Sequence, residues 1–304
     1  MERNRCSTLP LFDRKSILLP SFPSSYSIHI LSQFFYTCKP KATAVFLYNP
    51  CKLLYNKTIK SKGVYLMNQN LDPYQYNQND GITLREPIAT YTAKTFGWMF
   101  LGLVTTFFLA IASLLTGVTE FLLYHPALCF GLPIAEVVVV LVLASRVQKL
   151  KIGTARALFF CYAALTGVSF GSLFLLYDVG VLIMVFGMCA LYFGLMALYG
   201  WKTKADLTRI RPVLIGGLIF LVIFDVILGL FFNFTTFETG ICTIGMVIFL
   251  GFTAYDTQMV RNYYYAYADH PEMLKKVSIF SALQLYLDFI NLFLYLLRLF
   301  GNRD

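Results

Sequence analysis

From about residue 94 onward the chain is a succession of apolar runs separated by short polar breaks. Each run is about the ~20 residues a helix needs to cross the hydrocarbon core of a bilayer. Seven can be drawn, near 94–116, 125–145, 157–177, 179–199, 212–234, 238–260 and 278–300. A helix satisfies its own backbone hydrogen bonds in lipid. The pattern therefore predicts an all-α integral membrane protein, a seven-transmembrane-helix bundle over residues 94–304. Composition agrees: 58% of the 304 residues are hydrophobic and 13% charged, against about 25% charged in soluble domains. A folded chain has too much surface to hide that excess from water.

The breaks give a predicted orientation. Arg146, Lys149, Lys151 and Arg156 follow the second run, Lys202, Lys204, Arg209 and Arg211 the fourth, and Arg261, Lys275 and Lys276 the sixth. The other breaks carry no Lys or Arg. Positive residues stay on the cytoplasmic side, so the N-terminus is expected there, with Tyr263, Tyr264, Tyr265 and Tyr267 in an aromatic belt at that interface. Seven spans put the C-terminus outside. Arg298 and Arg303 then either mark a last span that stops short or are cations tolerated outside. In the third run Ala163, Gly167 and Gly171 recur every fourth residue, a smooth face suited to close helix contact.

The net charge of +9 belongs to the first fifth of the chain. Residues 1–66 hold ten Lys/Arg and two acids, and the rest holds fifteen and fourteen, so basicity is no sign of nucleic-acid binding. Pro10, Pro20, Pro23, Pro40 and Pro50 interrupt any helix there, and no apolar run has the form of a secretory signal. Lys62-Gly63-Val64 is encodable by a ribosome-binding sequence just upstream of Met67. The segment 1–66 is therefore expected to be translated leader DNA or disordered, with 67–93 a polar cytoplasmic tail. None of the seven Cys pairs at CxxC spacing, which speaks against a zinc or redox site.

An ionisable residue inside a span costs ~2.5–3.5 kcal/mol on insertion scales and needs a reason. Glu136, Asp225, Asp256 and Asp288 are the cases. Asp256 lies about one turn from the cytoplasmic end of the sixth run. Asp288 lies about ten residues into the seventh, ~15 Å deep. Arg146 closes the second run at the same end. One cation and two carboxylates thus share a depth. Two adjacent carboxylates in low dielectric cannot both ionise cheaply, so such a pair holds one proton between them. An arginine tied to the ionised form is released by protonation or by a bound cation. Calcium takes oxygen ligands, and Asp256 with Asp288 is a meagre site for it. The competing reading makes these charges structural ties between helices. Glu136 and Asp225 are expected to hydrogen-bond neighbouring helices. No HExxH, GxSxG, P-loop or dinucleotide turn is present, so no enzyme activity and no cofactor are expected. Paired aspartates also occur in intramembrane proteases; Tyr255-Asp256 fits their pattern and Leu287-Asp288 does not.

Tyr255-Asp256-Thr257-Gln258, followed by the run from Ala282 through Asp288 and Asn291 to Arg298, resembles the C-terminal signature of the Bax inhibitor-1 (transmembrane Bax inhibitor motif) family in its bacterial form. The resemblance covers residues 85–304. It implies that the C-terminal helix is central, surrounded by the other six. It also implies a pH-sensitive calcium leak in the bacterial plasma membrane, with Asp256 and Asp288 as the ion- and proton-sensing pair. Arg146 is its latch candidate, and Lys149 a substitute. Some bacterial relatives restrain a membrane-bound protease. The alternative expectation is therefore a non-conducting interaction protein whose partners are membrane proteins such as a quality-control protease.

Overall fold

The computed structural model describes residues 74–77, 81–84, 86–146, 149–231 and 238–301. The expected leader 1–66 lies outside them. A short antiparallel hairpin comes first, β1 (Tyr74–Asn77) and β2 (Gly81–Leu84), with Tyr74 opposite Leu84. Everything after it is helical: α1 (Ile88–Leu115), α2 (Val118–Tyr124), α3 (Pro126–Arg146), α4 (Ile152–Phe170), α5 (Leu173–Leu176), α6 (Val179–Lys202), a 3-10 turn at Leu207–Arg209, α7 (Arg211–Phe231), α8 (Glu238–Tyr267) and α9 (Pro271–Phe300).

Six stretches among the described residues are long and apolar enough to cross a membrane: α1, α4 with α5, α6, the stretch Leu207–Phe224, α8 and α9. The predicted second span coincides with α3, which is not among the six. Several helices outrun their apolar runs. α1 begins at Ile88, α8 continues to Tyr267 and α9 begins at Pro271, because polar residues prolong a helix beyond the segment that hydropathy picks out. Of the four tyrosines expected in an interfacial belt, Tyr265 is exposed, Tyr263 and Tyr267 are half-buried, and Tyr264 alone is enclosed. Tyr264 is a buried helix residue whose ring lies tilted against that of Tyr91, centroids 5.5 Å apart, and whose hydroxyl donates to the Glu86 carbonyl at 2.6 Å.

α9 is the axis of the bundle. Its apolar window is 94% buried, against 22–56% for the other five. Its 30 residues make it ~45 Å long. Gly301, at its end, lies against Tyr177, just before α6, so the helix reaches the end of the bundle where α6 begins. Aromatic rings grip it from several sides. Phe186 and Phe193 of α6 meet Phe289 at 5.3 and 5.5 Å, Phe249 of α8 meets Tyr295 at 5.7 Å, and Phe159 and Tyr162 of α4 meet Tyr286 edge-on. The outer helices turn residues such as Phe108, Ile183, Leu191 and Val213 outward, the surface a lipid bilayer covers.

Small residues and hydroxyls set the spacing. A Cβ on Gly167 would lie 2.7 Å from the Thr106 carbonyl oxygen, and one on Gly171 would strike the Ser113 and Thr119 hydroxyls. Thr106 Oγ1 lies 3.0 Å from the Ala163 carbonyl oxygen. The Ala163, Gly167, Gly171 face therefore does what its spacing predicts: it lets α1 and α4 run side by side in close contact. Thr106 Oγ1 also lies 3.1 Å from the Gly102 carbonyl and 2.6 Å from Tyr286 Oη. With two carbonyls beside a single proton, Thr106 donates to one of them, and Tyr286 donates to Thr106.

Gly200 of α6 is the corresponding contact to α8, where an added Cβ would strike the Ala254 carbonyl. Gly200→Ala should destabilise the protein by ~1–3 kcal/mol, the range for overpacking. Gly187→Ala, with open space around it, should be neutral or stabilising by ~0.5–1 kcal/mol. Thermal unfolding in detergent reads both; equal midpoints would sink the close-contact assignment.

Candidate functional site

The C-terminal half of α8 and the middle of α9 meet where the sequence sets its acids. Asp256 is 7% exposed and Asp288 1%. Their carboxyls stand close enough to interact directly. A carboxylate can accept but not donate, so a hydrogen bond between the two requires that one of them be protonated. Gln284, one turn before Asp288 on the same face of α9, donates from Nε2 to Asp256 Oδ1 at 3.4 Å. The helices antiparallel to each other bring the two acids to one depth, as their positions in the sixth and seventh runs anticipate.

The arginine set electrostatically against Asp256 is Arg211, at the first position of α7. Its guanidinium also stands 6.0 Å from the centroid of the Tyr255 ring. Arg146 is exposed in the last turn of α3, whose principal neighbours are α4 and α2. Lys149 is exposed in the following loop. Sequence reading had treated Arg211 only as a marker of topology. Its position at a helix start, next in space to the Tyr-Asp motif, needs the α7–α8 contact that no local pattern reveals.

The same stretch of α8 holds the loop between α6 and α7. Gln258 accepts from the Leu207 amide through Oε1 at 3.0 Å and donates from Nε2 to the Ala205 carbonyl at 2.7 Å. Arg261, three residues on, donates to the Trp201 and Thr203 carbonyls at 2.7 and 3.3 Å. Those carbonyls end α6 and would otherwise lack intrahelical partners. Within the loop, Asp206 accepts from the Thr208 amide and hydroxyl, which hold its carboxyl below the usual range.

Glu136 is 1% exposed on α3 and accepts from Ser169 Oγ of α4 at 2.9 Å, the interhelical tie expected of it. Asp225 lies on α7, its side chain outside the described residues. Asn291, which sequence reading passed over as uncharged, is 1% exposed on α9, one turn beyond Asp288. The spacing of Ser281, Gln284, Asp288, Asn291 and Tyr295, at steps of three and four, is the signal that would have found it: a polar stripe along one face of an otherwise apolar helix. Among the described residues no three His, Cys, Asp or Glu come together as a metal cluster.

A family model described as "Inhibitor of apoptosis-promoting Bax1" matches residues 88–304. The chain belongs to the Bax inhibitor family. Several relatives in that family are bacterial. The inner membrane protein YbhL of Escherichia coli K12 is 39% identical over 225 residues, 72% of this chain and 94% of that protein. An uncharacterized protein of Borreliella burgdorferi is 35% identical, covering 70% of this chain and 92% of its own. Uncharacterized protein RP147 of Rickettsia prowazekii is 35% identical, covering 73% and 93%. The family membership, the several apolar helices and the inner-membrane relative together make this a multi-pass membrane protein of the bacterial Bax inhibitor kind.

The loop clamp has a direct readout. Gln258→Leu with Arg261→Met should speed tryptic cleavage after Lys202 and Lys204. Each hydrogen bond lost is worth ~1 kcal/mol, about fivefold in the open fraction. Unchanged cleavage in the folded variant would show that the loop is held by something else.

Proposed function

We propose that this protein is a pH-sensitive cation leak, with calcium as the permeant ion and the Asp256–Asp288 pair as its sensor. The observation that carries the reading is a pair of buried, interacting carboxyls, one on α8 and one on the central helix, with one arginine set against them. A structural tie alone needs one acid and one donor; here two acids compete for one proton in a region where charge is costly. α3 completes a seven-span bundle with its N-terminus in the cytoplasm, which the alternating basic breaks support.

The sign of the pH response follows from charge. When the pair carries one net negative charge, Arg211 is drawn to Asp256 and α7 is tied to α8. Acidification adds the second proton, removes that charge and releases the tie. A bound cation neutralises the pair in the same way. Flux therefore rises as pH falls. Arg211, beside Asp256, takes the latch role that sequence reading gave to Arg146.

The test is calcium entry into proteoliposomes holding the full chain. Flux should increase as the medium is acidified, by up to about tenfold per pH unit for one titrating proton. Asp256→Asn with Asp288→Asn should flatten that dependence. Arg211→Gln should raise flux at alkaline pH, and Arg146→Gln should leave the profile near wild type. A well-folded protein that passes no ion at any pH would overturn the leak. It would leave a non-conducting partner of other membrane proteins, such as a protease, as the reading to pursue by co-purification.

A further inference from the structure

Among the described residues, two acceptor-only oxygens of the central helix meet no hydrogen-bond donor: Asp288 Oδ2 and Asn291 Oδ1. Both side chains are 1% exposed. They stand three residues apart, one turn, on one face of α9. The orientation of the Asn291 amide is fixed by chemistry. Its nitrogen donates to the Leu287 carbonyl at 2.7 Å, and the reverse orientation would set oxygen against oxygen. Oδ1 is therefore the free end, an acceptor in a dry interior where an acceptor without a donor is costly.

The surroundings confine these oxygens to the α8 side of the axis. Asp288, before Asn291, interacts with Asp256 of α8. Tyr295, after it, packs on Gly245 and Phe249 of the same helix. The other faces of α9 are closed by Phe289 against α6 and Tyr286 against α1 and α4. A carboxylate oxygen followed by an amide carbonyl oxygen is a combination that hard cations accept, and asparagine carbonyls are ordinary calcium ligands.

We propose that Asn291 is the second oxygen step for a divalent cation leaving the Asp256–Asp288 pair, the ion passing from Asp288 Oδ2 to Asn291 Oδ1. This rests on the leak reading and adds to it the residue that sets preference for calcium over potassium. One charged and one neutral oxygen ligand give a weak site, as a leak requires, since an ion held tightly does not leave.

The experiment uses the full chain with Asn291→Leu and Asn291→Asp. Calcium and potassium fluxes are measured separately in proteoliposomes, and Tb³⁺ binding in detergent is read by tyrosine-sensitised luminescence. Asn291→Leu should lower calcium flux and Tb³⁺ affinity by about tenfold or more, the factor equal to ~1.4 kcal/mol. Asn291→Asp, nearly isosteric, should keep calcium flux and raise the calcium-to-potassium ratio. It keeps the test open if the leucine variant does not fold. A conducting wild type whose flux ratio and Tb³⁺ affinity are the same in the folded variants would overturn the role of Asn291 and leave the leak standing. A silent wild type that binds Tb³⁺ through Asn291 would overturn the leak and keep the oxygen pair as a cation site. A silent wild type with no such binding would overturn both.

Discussion

The burial of one polar-striped helix governs this bundle. α9 is enclosed along nearly its whole apolar length, and yet it carries Ser278, Gln284, Asp288 and Asn291. Lipid cannot satisfy those groups, and neighbouring helices meet several of them. Thr95 meets Ser278 at 2.8 Å and Asp256 meets Asp288, while Thr106 meets Tyr286 on another side of the helix. Each bond fixes an outer helix in height and rotation against the axis. Hydrogen bonds between membrane helices average only ~0.6 kcal/mol, so their value here is register more than stability. The large contact areas come from the aromatic rings, and the close approaches from Gly167, Gly171 and Gly200.

Much of this was legible because membrane proteins obey few rules strictly. Ala163, Gly167 and Gly171 revealed their face because small residues at every fourth position have one use in a span. Asp256 and Asp288 stood out because intramembrane carboxylates are costly. The family signature located α9 at the centre, where hydropathy alone could not, since an axis helix and a lipid-facing helix are equally apolar. Other features depended on contacts distant in sequence. Arg211 reads as a loop cation until α7 is set beside α8. Tyr264 reads as an interfacial ring until Glu86 arrives to accept its hydroxyl. Asn291 carries no charge to mark it in the sequence, and an uncharged amide can be as exacting when buried.

Helix ends were the least legible part. α1, α8 and α9 each run six or seven residues past their apolar runs on the side rich in Lys and Arg. The extensions gain partners that hydropathy ignores. The Tyr91 ring of α1 lies 5.5 Å from the Tyr264 ring of α8, and Arg261 donates to the Trp201 carbonyl at 2.7 Å. That end of the molecule is a belt of short-range polar contacts, whereas the middle is held by packing.

Asp256, Gln258 and Arg261 lie within a turn and a half of one continuous helix. One of them belongs to the carboxyl pair, and the other two grip the loop that leads into Arg211. A helix this short between them is stiff, so it transmits rotation and translation without bending. The acid, the loop and the arginine are therefore linked like parts on one shaft: a displacement of α8 by a fraction of its pitch moves all three in a fixed ratio.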